Sequence, residues 1–335
     1  MIKSNMFQKD KYFKSKIDWK EIDRIQEKKI IDRVLPLFKR KILVKNIKQR
    51  NVNLINSEIF LVIDHIGHKT VLSKRNKPCK KNKLILEEIE YEAYFYSLLS
   101  YIEGDHFDGS LSHLNILSQN LPSQFLSNSV HIEKESEINY EKAIEGANNF
   151  FSLYGAKFLK ILQDNSTYNN NTNLKFLSEV KNNPSSISIK YNNIKLPLNI
   201  DLHPHNIIIN RRKKSVTIID NDTCCLVYPE IAIGFHLFKI IRHSLSKVKN
   251  SEKGHLYKII DSYIKKINIL LADKDIYFKL TELIEAGLVE IYRRIIFIIE
   301  QYIDMDRKEW LSDISMHCLA YFENRYIKDT IKNIL

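Results

Sequence analysis

Residues Leu198 to Asp222 read LNIDLHPHNIIINRRKKSVTIIDND. Asp201 is followed five positions later by Asn206, and a second apolar run closes on Asp220, with Asp222 two residues further on. Ile207–Asn210 and Ser215–Asp220 are short β-rich runs around the basic stretch Arg211–Lys214, which predicts a hairpin with a solvated turn. A carboxylate and a carboxamide therefore precede one strand, and two carboxylates close the next. That donor set suits phosphoryl transfer, which is mostly positioning and charge neutralisation. One Asp can orient and deprotonate a hydroxyl. An Asn and a second Asp suffice for Mg²⁺, which keeps several waters and takes few protein ligands. The pattern D-x-x-x-x-N alone is common; followed by strand, basic turn, strand and I-D-x-D it is much rarer. The competing readings are a polar turn before an ordinary hairpin, its Asp residues capping the ends, and a transition-metal site built on Asp201, His203 and His205. No third His or Cys lies near those histidines in sequence.

Upstream, residues 1–40 carry Ile22, Ile25, Ile30, Ile31, Val34, Leu35 and Phe38 at helical spacing and predict an N-terminal helical extension. Three strand-like runs follow, Ile42–Ile47, Ile59–Asp64 and Thr70–Lys74, the last two joined by a tight turn at His65-Ile66-Gly67-His68. A basic loop, Ser73–Lys83, leads to a periodic segment, Leu84–Tyr101, which predicts a helix. Residues 102–135 have no clear period beyond a possible strand at Ser129–Ile132. Tyr140–Gln163 and Leu174–Val180 predict helices on either side of a polar linker, Asp164–Asn173, and from Pro229 onward the chain reads as helical, including Leu280–Ile303. Strands plus a helix, then a mostly helical half carrying a small hairpin, predict an α+β fold of two lobes rather than alternating βαβ units. The expected divisions are 1–40, an N-lobe at 41–135 and a C-lobe at 136–335.

Composition narrows the function. The chain has 335 residues, 44% of them hydrophobic, enough for a sizeable core. Its 8 glycines argue against a Gly-rich dinucleotide fold. The 4 cysteines have no C-x-x-C spacing, which points away from zinc or a disulfide framework and towards a reducing, cytoplasmic compartment. The charged N-terminal stretch lacks an apolar h-region, so no secretory signal is expected there, and no apolar run approaches the ~18 residues of a membrane span. The net charge of +12 invites a polyanion, but it is spread along a chain rich in Lys, Asn and Ile, so no nucleic-acid partner is expected.

The segment Asn199–Asn206 resembles the catalytic loop of the aminoglycoside phosphotransferase and choline kinase families, roughly H-G-D-x-H-x-x-N, followed by a hairpin and I-D-[FW]-[DE]. Here the later segment is Ile219-Asp220-Asn221-Asp222. The resemblance implies a two-lobed protein-kinase-like fold, with a small sheet and helix in the N-lobe and a mostly helical C-lobe. It implies Asp201 as catalytic base, Asn206 and Asp220 as metal ligands, and Asp222 as a second-metal candidate. It also calls for a nucleotide-binding Lys on a strand with a Glu on the following helix. Lys74 and Glu92 fit that requirement, with Lys69 and Glu88 as alternatives. No G-x-G-x-x-G covers the phosphates, which favours a small-molecule acceptor. The implied activity is Mg²⁺-dependent transfer of the γ-phosphate of ATP or GTP to a hydroxyl of a sugar, amino alcohol or aminoglycoside-like molecule. The alternatives are a catalytically weak kinase-like binding or scaffold protein, and a protein or lipopolysaccharide-sugar kinase. The family's His and Gly before the Asp are Asn199 and Ile200 here, and Glu230 is the nearest acidic residue after Pro229.

Overall fold

The computed structural model describes residues 19–50, 57–76, 78, 84–127, 138, 140–164, 171–183, 194–219, 223–302 and 310–334. Two compact units divide the chain: Asp10–Asp108 with Pro204–Thr223, and Gly109–His203 with Cys224–Leu335. The first is built on sheet and the second on helices. The observed division falls at Asp108 rather than 135, the hairpin after Asp201 belongs with the sheet unit, and Ile30, Val34, Leu35 and Phe38 of the expected extension are part of that unit's core.

The sheet unit begins with β1 (Trp19–Glu21) and α1 (Arg24–Lys29), which continues through a wide turn, Ile30–Val34, and a tight one, Leu35–Leu37. Asp23 caps α1, its carboxylate accepting from the Ile25 and Gln26 N–H groups at 3.0 and 2.9 Å. Next come β2 (Val44–Arg50), β3 (Ser57–Asp64), β4 (Lys69–Arg75), β5 (Ile85–Tyr91), β6 (Tyr94–Ser100) and β7 (Asp105–His106). The first six form one antiparallel sheet in the order β1-β2-β3-β4-β6-β5. The three expected strands are present within about three residues of their expected ends, and Gly67 takes φ +86° in the β3–β4 turn. The helical segment lays Ile30, Val34, Leu35 and Phe38 on Ile47, Phe60, Val62, Leu72, Tyr96 and Leu98, all at most 5% exposed.

The helix expected over Leu84–Tyr101 is the β5–β6 hairpin instead. Ile85, Ile89, Tyr91, Tyr94, Phe95 and Tyr96 are residues that suit a half-buried pleated surface. Glu92 and Ala93 make the two-residue turn at φ +50° and +60°, the conformation of a primed hairpin turn. Without glycine or asparagine there, the turn leaves no signal in the sequence. The helical cover of the sheet thus comes from ahead of β2, not from after β4.

In the helical unit, α2 (Leu111–Ser127), α3 (Tyr140–Asn148), α4 (Ala156–Asp164) and α5 (Asn171–Asn182) lead to β8 (Leu196–Asn199). A wide turn, Phe151–Gly155, interrupts the single helix expected over Tyr140–Gln163. The chain then enters the sheet unit as β9 (Ile207–Asn210) and β10 (Ser215–Ile218), which pair as the expected hairpin and add to β7 in the order β10-β9-β7. Ser129–Ile132 lies outside the described residues. The chain returns to the helical unit as β11 (Cys224–Val227), antiparallel to β8, followed by α6 (Pro229–Leu245), α7 (Lys253–Leu270), α8 (Leu280–Tyr302) and α9 (Trp310–Lys332). Helices α6 and α8 meet backbone to backbone: a Cβ on Gly234 would lie 1.9 Å from the Leu283 carbonyl oxygen and 2.8 Å from the Gly287 nitrogen. Among the described residues, no helix is long and apolar enough to cross a membrane.

Candidate active site

In the helical unit, Asp201 follows β8 in a turn that is fixed on both sides. Asn199 ends the strand, is buried, and accepts the Asp201 N–H through Oδ1 at 2.8 Å. Immediately after Asp201, the Leu202 carbonyl accepts from Nδ1 of His236 on α6 at 3.3 Å. That bond requires the Nδ1–H tautomer. Burial lowers the His236 pKa to about 3, so the ring is neutral at ordinary pH. The ring stacks on Phe125 at 5.3 Å.

The Asp201 carboxylate faces two cations. Lys239 Nζ on α6 lies 2.7 Å from Oδ1, and an Arg294 guanidinium nitrogen on α8 lies 3.0 Å from the same oxygen. His203 Nε2 is 3.9 Å from Oδ2. Burial alone would raise the Asp201 pKa, but the charges of Lys239 and Arg294 outweigh it and leave the group at about 2. Burial lowers Lys239 to about 8 against the opposing pull of Asp201. Behind them, Glu290 is buried and accepts from Arg293 at 2.7 Å and from Arg294 at 2.8 Å. Tyr140 donates to Glu290 at 3.0 Å. The Phe235 ring lies under both cations, 4.2 Å from Lys239 Nζ and 4.8 Å from the Arg294 guanidinium carbon. The α6–α8 crossing brings this set together: Glu290 and Arg294 follow Gly287 by three and seven positions and so share its face of α8.

In the sheet unit, Asn206 ends a one-turn helix, Pro204–Asn206, and leads into β9. Its backbone carbonyl accepts from the Ile219 N–H at 3.0 Å, which ties the two ends of the hairpin together. Asp220 and Asp222 follow Ile219 in the chain and lie outside the described residues. Lys74 on β4 is directly opposite Glu58 on β3, and the two form an ion pair at 2.7 Å. Gln26 of α1 donates to the other Glu58 oxygen at 2.8 Å. Lys74 also lies over the Tyr94 ring at 4.2 Å. Glu92 stands in the β5–β6 turn and pairs with Lys29 of α1, so the carboxylate beside Lys74 is Glu58. Lys69 is at the other end of β4, over Tyr101, and Glu88 accepts from Ser97.

Sequence reasoning missed Glu58, His236, Lys239 and Arg294. A signal existed for two of them: His236 and Lys239 are polar interruptions in the otherwise apolar run Ile231–Ile241. Arg294 and Glu290 sit 93 and 89 positions beyond Asp201, and only the α6–α8 crossing brings them to it.

No family model matches the chain, and no curated protein matches it. Solved structures do. Choline kinase from Cryptosporidium parvum superposes with a TM-score of 0.53 at 13% identity, covering 93% of this chain and 98% of that one. An aminoglycoside phosphotransferase from Alicyclobacillus acidocaldarius superposes with a TM-score of 0.50 at 10% identity, covering 88% and 93%. The chain has the α+β, protein-kinase-like fold of these proteins: a small antiparallel sheet unit and a helical unit.

Proposed function

We propose that the protein transfers the γ-phosphate of ATP or GTP, with Mg²⁺, to a hydroxyl of a small molecule, and that Asp201 is the residue against which that hydroxyl reacts. The observation that carries this reading is the turn at Asp201. Two neighbours, Asn199 and His236, hold its backbone, and Asp201 is kept ionised among cations in a fold shared with a choline kinase and an aminoglycoside phosphotransferase.

Asp201 accepts a hydrogen bond from the acceptor hydroxyl and aims its oxygen at the γ-phosphorus. A carboxylate this acidic is a weak base. Its contribution is orientation and a late proton transfer, as a loose phosphoryl-transfer step requires. The backbone ties at Asn199 and Leu202 keep the carboxylate from turning away. Lys74, held by Glu58 and through it by Gln26, supplies a positioned cation for the nucleotide phosphates. Asn206, just before the hairpin, and Asp220 and Asp222, which follow it in the sequence, are hard oxygen donors and are the residues that would hold Mg²⁺, which when bound neutralises phosphate charge. A small-molecule acceptor is favoured over a protein by the absence of a glycine-rich G-x-G-x-x-G motif in the sequence.

The test is Asp201→Asn, nearly isosteric. Transfer of label from ATP should fall on the order of 10²–10⁴-fold, while Mg-ATP still raises the melting temperature as in the wild type. A variant that keeps more than a tenth of the rate removes Asp201 from the mechanism. The two ion pairs on Asp201 favour one second reading, a kinase-like protein that binds nucleotide without transferring phosphate. Stabilisation of the wild type by Mg-ATP, with no transfer to any acceptor, would select it.

A further inference from the structure

The charges around Asp201 describe what approaches it. Among the described residues, the ion pairs of Lys239, Arg293 and Arg294 are with Asp201 and Glu290, three cations to two carboxylates. Glu290 is 1% exposed and already saturated by the two arginines and Tyr140, so it has no capacity to receive a cationic ligand. Lys239 and Arg294 are different. Their side chains keep 15% and 24% of their surface accessible, next to an Asp201 side chain that is 32% accessible. Both rest on Phe235, which holds them side by side with their donors directed at one oxygen. His317, on α9, feels the same field: burial, followed by the charge of Arg294, lowers its pKa to about 4. Among the described residues, a quaternary ammonium or an amino sugar brought beside Lys239 and Arg294 would meet two cations and the reacting carboxylate.

We infer that the acceptor is an anionic hydroxy compound, its phosphate or carboxylate group bound by Lys239 and Arg294 beside Asp201. This inference rests on the phosphotransfer reading above and names its substrate class. It also gives the ion pairs a purpose. Without acceptor, Lys239 and Arg294 hold the Asp201 carboxylate; the acceptor's anion takes those donors and leaves Asp201 available to the hydroxyl. The acceptor oxygen then bonds to the γ-phosphorus as the bond to the β–γ bridging oxygen breaks. The hydroxyl proton passes to Asp201, and the nucleoside diphosphate leaves with the electron pair.

The anion site can be tested without nucleotide, by the melting temperature of the full chain titrated with glycerol 3-phosphate, gluconate, choline and kanamycin at matched ionic strength. The phosphate, the carboxylate or both should stabilise it beyond sodium chloride, which tells the two anion types apart, and the two cations should not. Lys239→Gln and Arg294→Gln should each weaken anion binding at least ten-fold. Asp201→Asn should strengthen it by ten-fold or more, because the internal competitor is gone; a merely structural ion pair would not show that gain. If a variant of either cation fails to fold, the Asp201→Asn arm still decides. Stabilisation by choline or kanamycin but by neither anion overturns the inference. So does anion binding that is absent, or that is unchanged in Asp201→Asn. Mg-ATP stabilisation, measured on the same protein, is a separate readout: its loss removes the phosphotransfer reading and leaves the anion site standing.

Discussion

Two residues that hold the Asp201 turn illustrate what one side chain can do by position alone. Asn199 stands where the resembled families carry His, yet it serves the turn directly by accepting the Asp201 N–H. His236, 35 positions after Asp201, ties down the carbonyl on the other side. The pattern of the loop was legible because its residues are contiguous. Its support was not, because a histidine in an apolar helix reads as core until the helix is placed against the loop. His236→Phe keeps an aromatic ring stacked on Phe125 but removes the donor to Leu202. It should lower stability by about 1–3 kcal/mol, the penalty of a buried carbonyl left without a partner. Turnover should fall while the KM for ATP stays within a few-fold, as steady-state kinetics would reveal. An unchanged rate would mean that the Leu202 tie is dispensable.

At the scale of elements, the strands with a hydrophobic alternation and a Gly turn were readable, and the one without a turn residue was not. The β5–β6 hairpin places Glu92 and Ala93 at positive φ, where a Cβ is disfavoured. Ala93→Gly should therefore stabilise the protein by about 1 kcal/mol, visible as a higher midpoint in chemical denaturation with an unchanged slope. A drop in stability would show that the turn draws on contacts of the Ala93 methyl. Between α6 and α9, Arg242 Nε lies 2.7 Å from a Glu323 carboxylate that is wholly buried. Burial raises the Glu323 pKa from 4.5 to about 7, and Arg242 only partly offsets it. The folded state thus holds this proton more firmly than the unfolded chain. Its stabilising contribution is complete below the unfolded pKa near 4.5 and is lost as pH rises through about 7. The loss is on the order of 3 kcal/mol at most. Glu323→Gln should flatten the stability profile across that window, as urea melts at several pH values would measure; an equally steep profile in the variant would assign the slope to other groups.

For the whole molecule, composition and element order were sufficient to read a two-part α+β chain, but not where it divides. Compactness follows contacts, and the hairpin after Asp201 joins β7 although it is flanked on both sides by segments of the helical unit. Long-range partnerships such as Arg294 with Asp201 depend on how helices cross, and no local pattern records a crossing. One crossing here is made of main chain. With Gly234 and Gly287 in contact, α6 and α8 have no side-chain cushion along which to slide, and the spacing between Lys239 and Arg294 is set by covalent geometry on either side of the contact. Helix shifts belong to the microsecond-to-millisecond range, whereas rotamer changes of partly exposed side chains take picoseconds to nanoseconds. If the acceptor's anion takes the two cations from Asp201 as inferred above, that exchange falls to the fast motions, and the clock of this site would run on side-chain torsions and not on the movement of its scaffold.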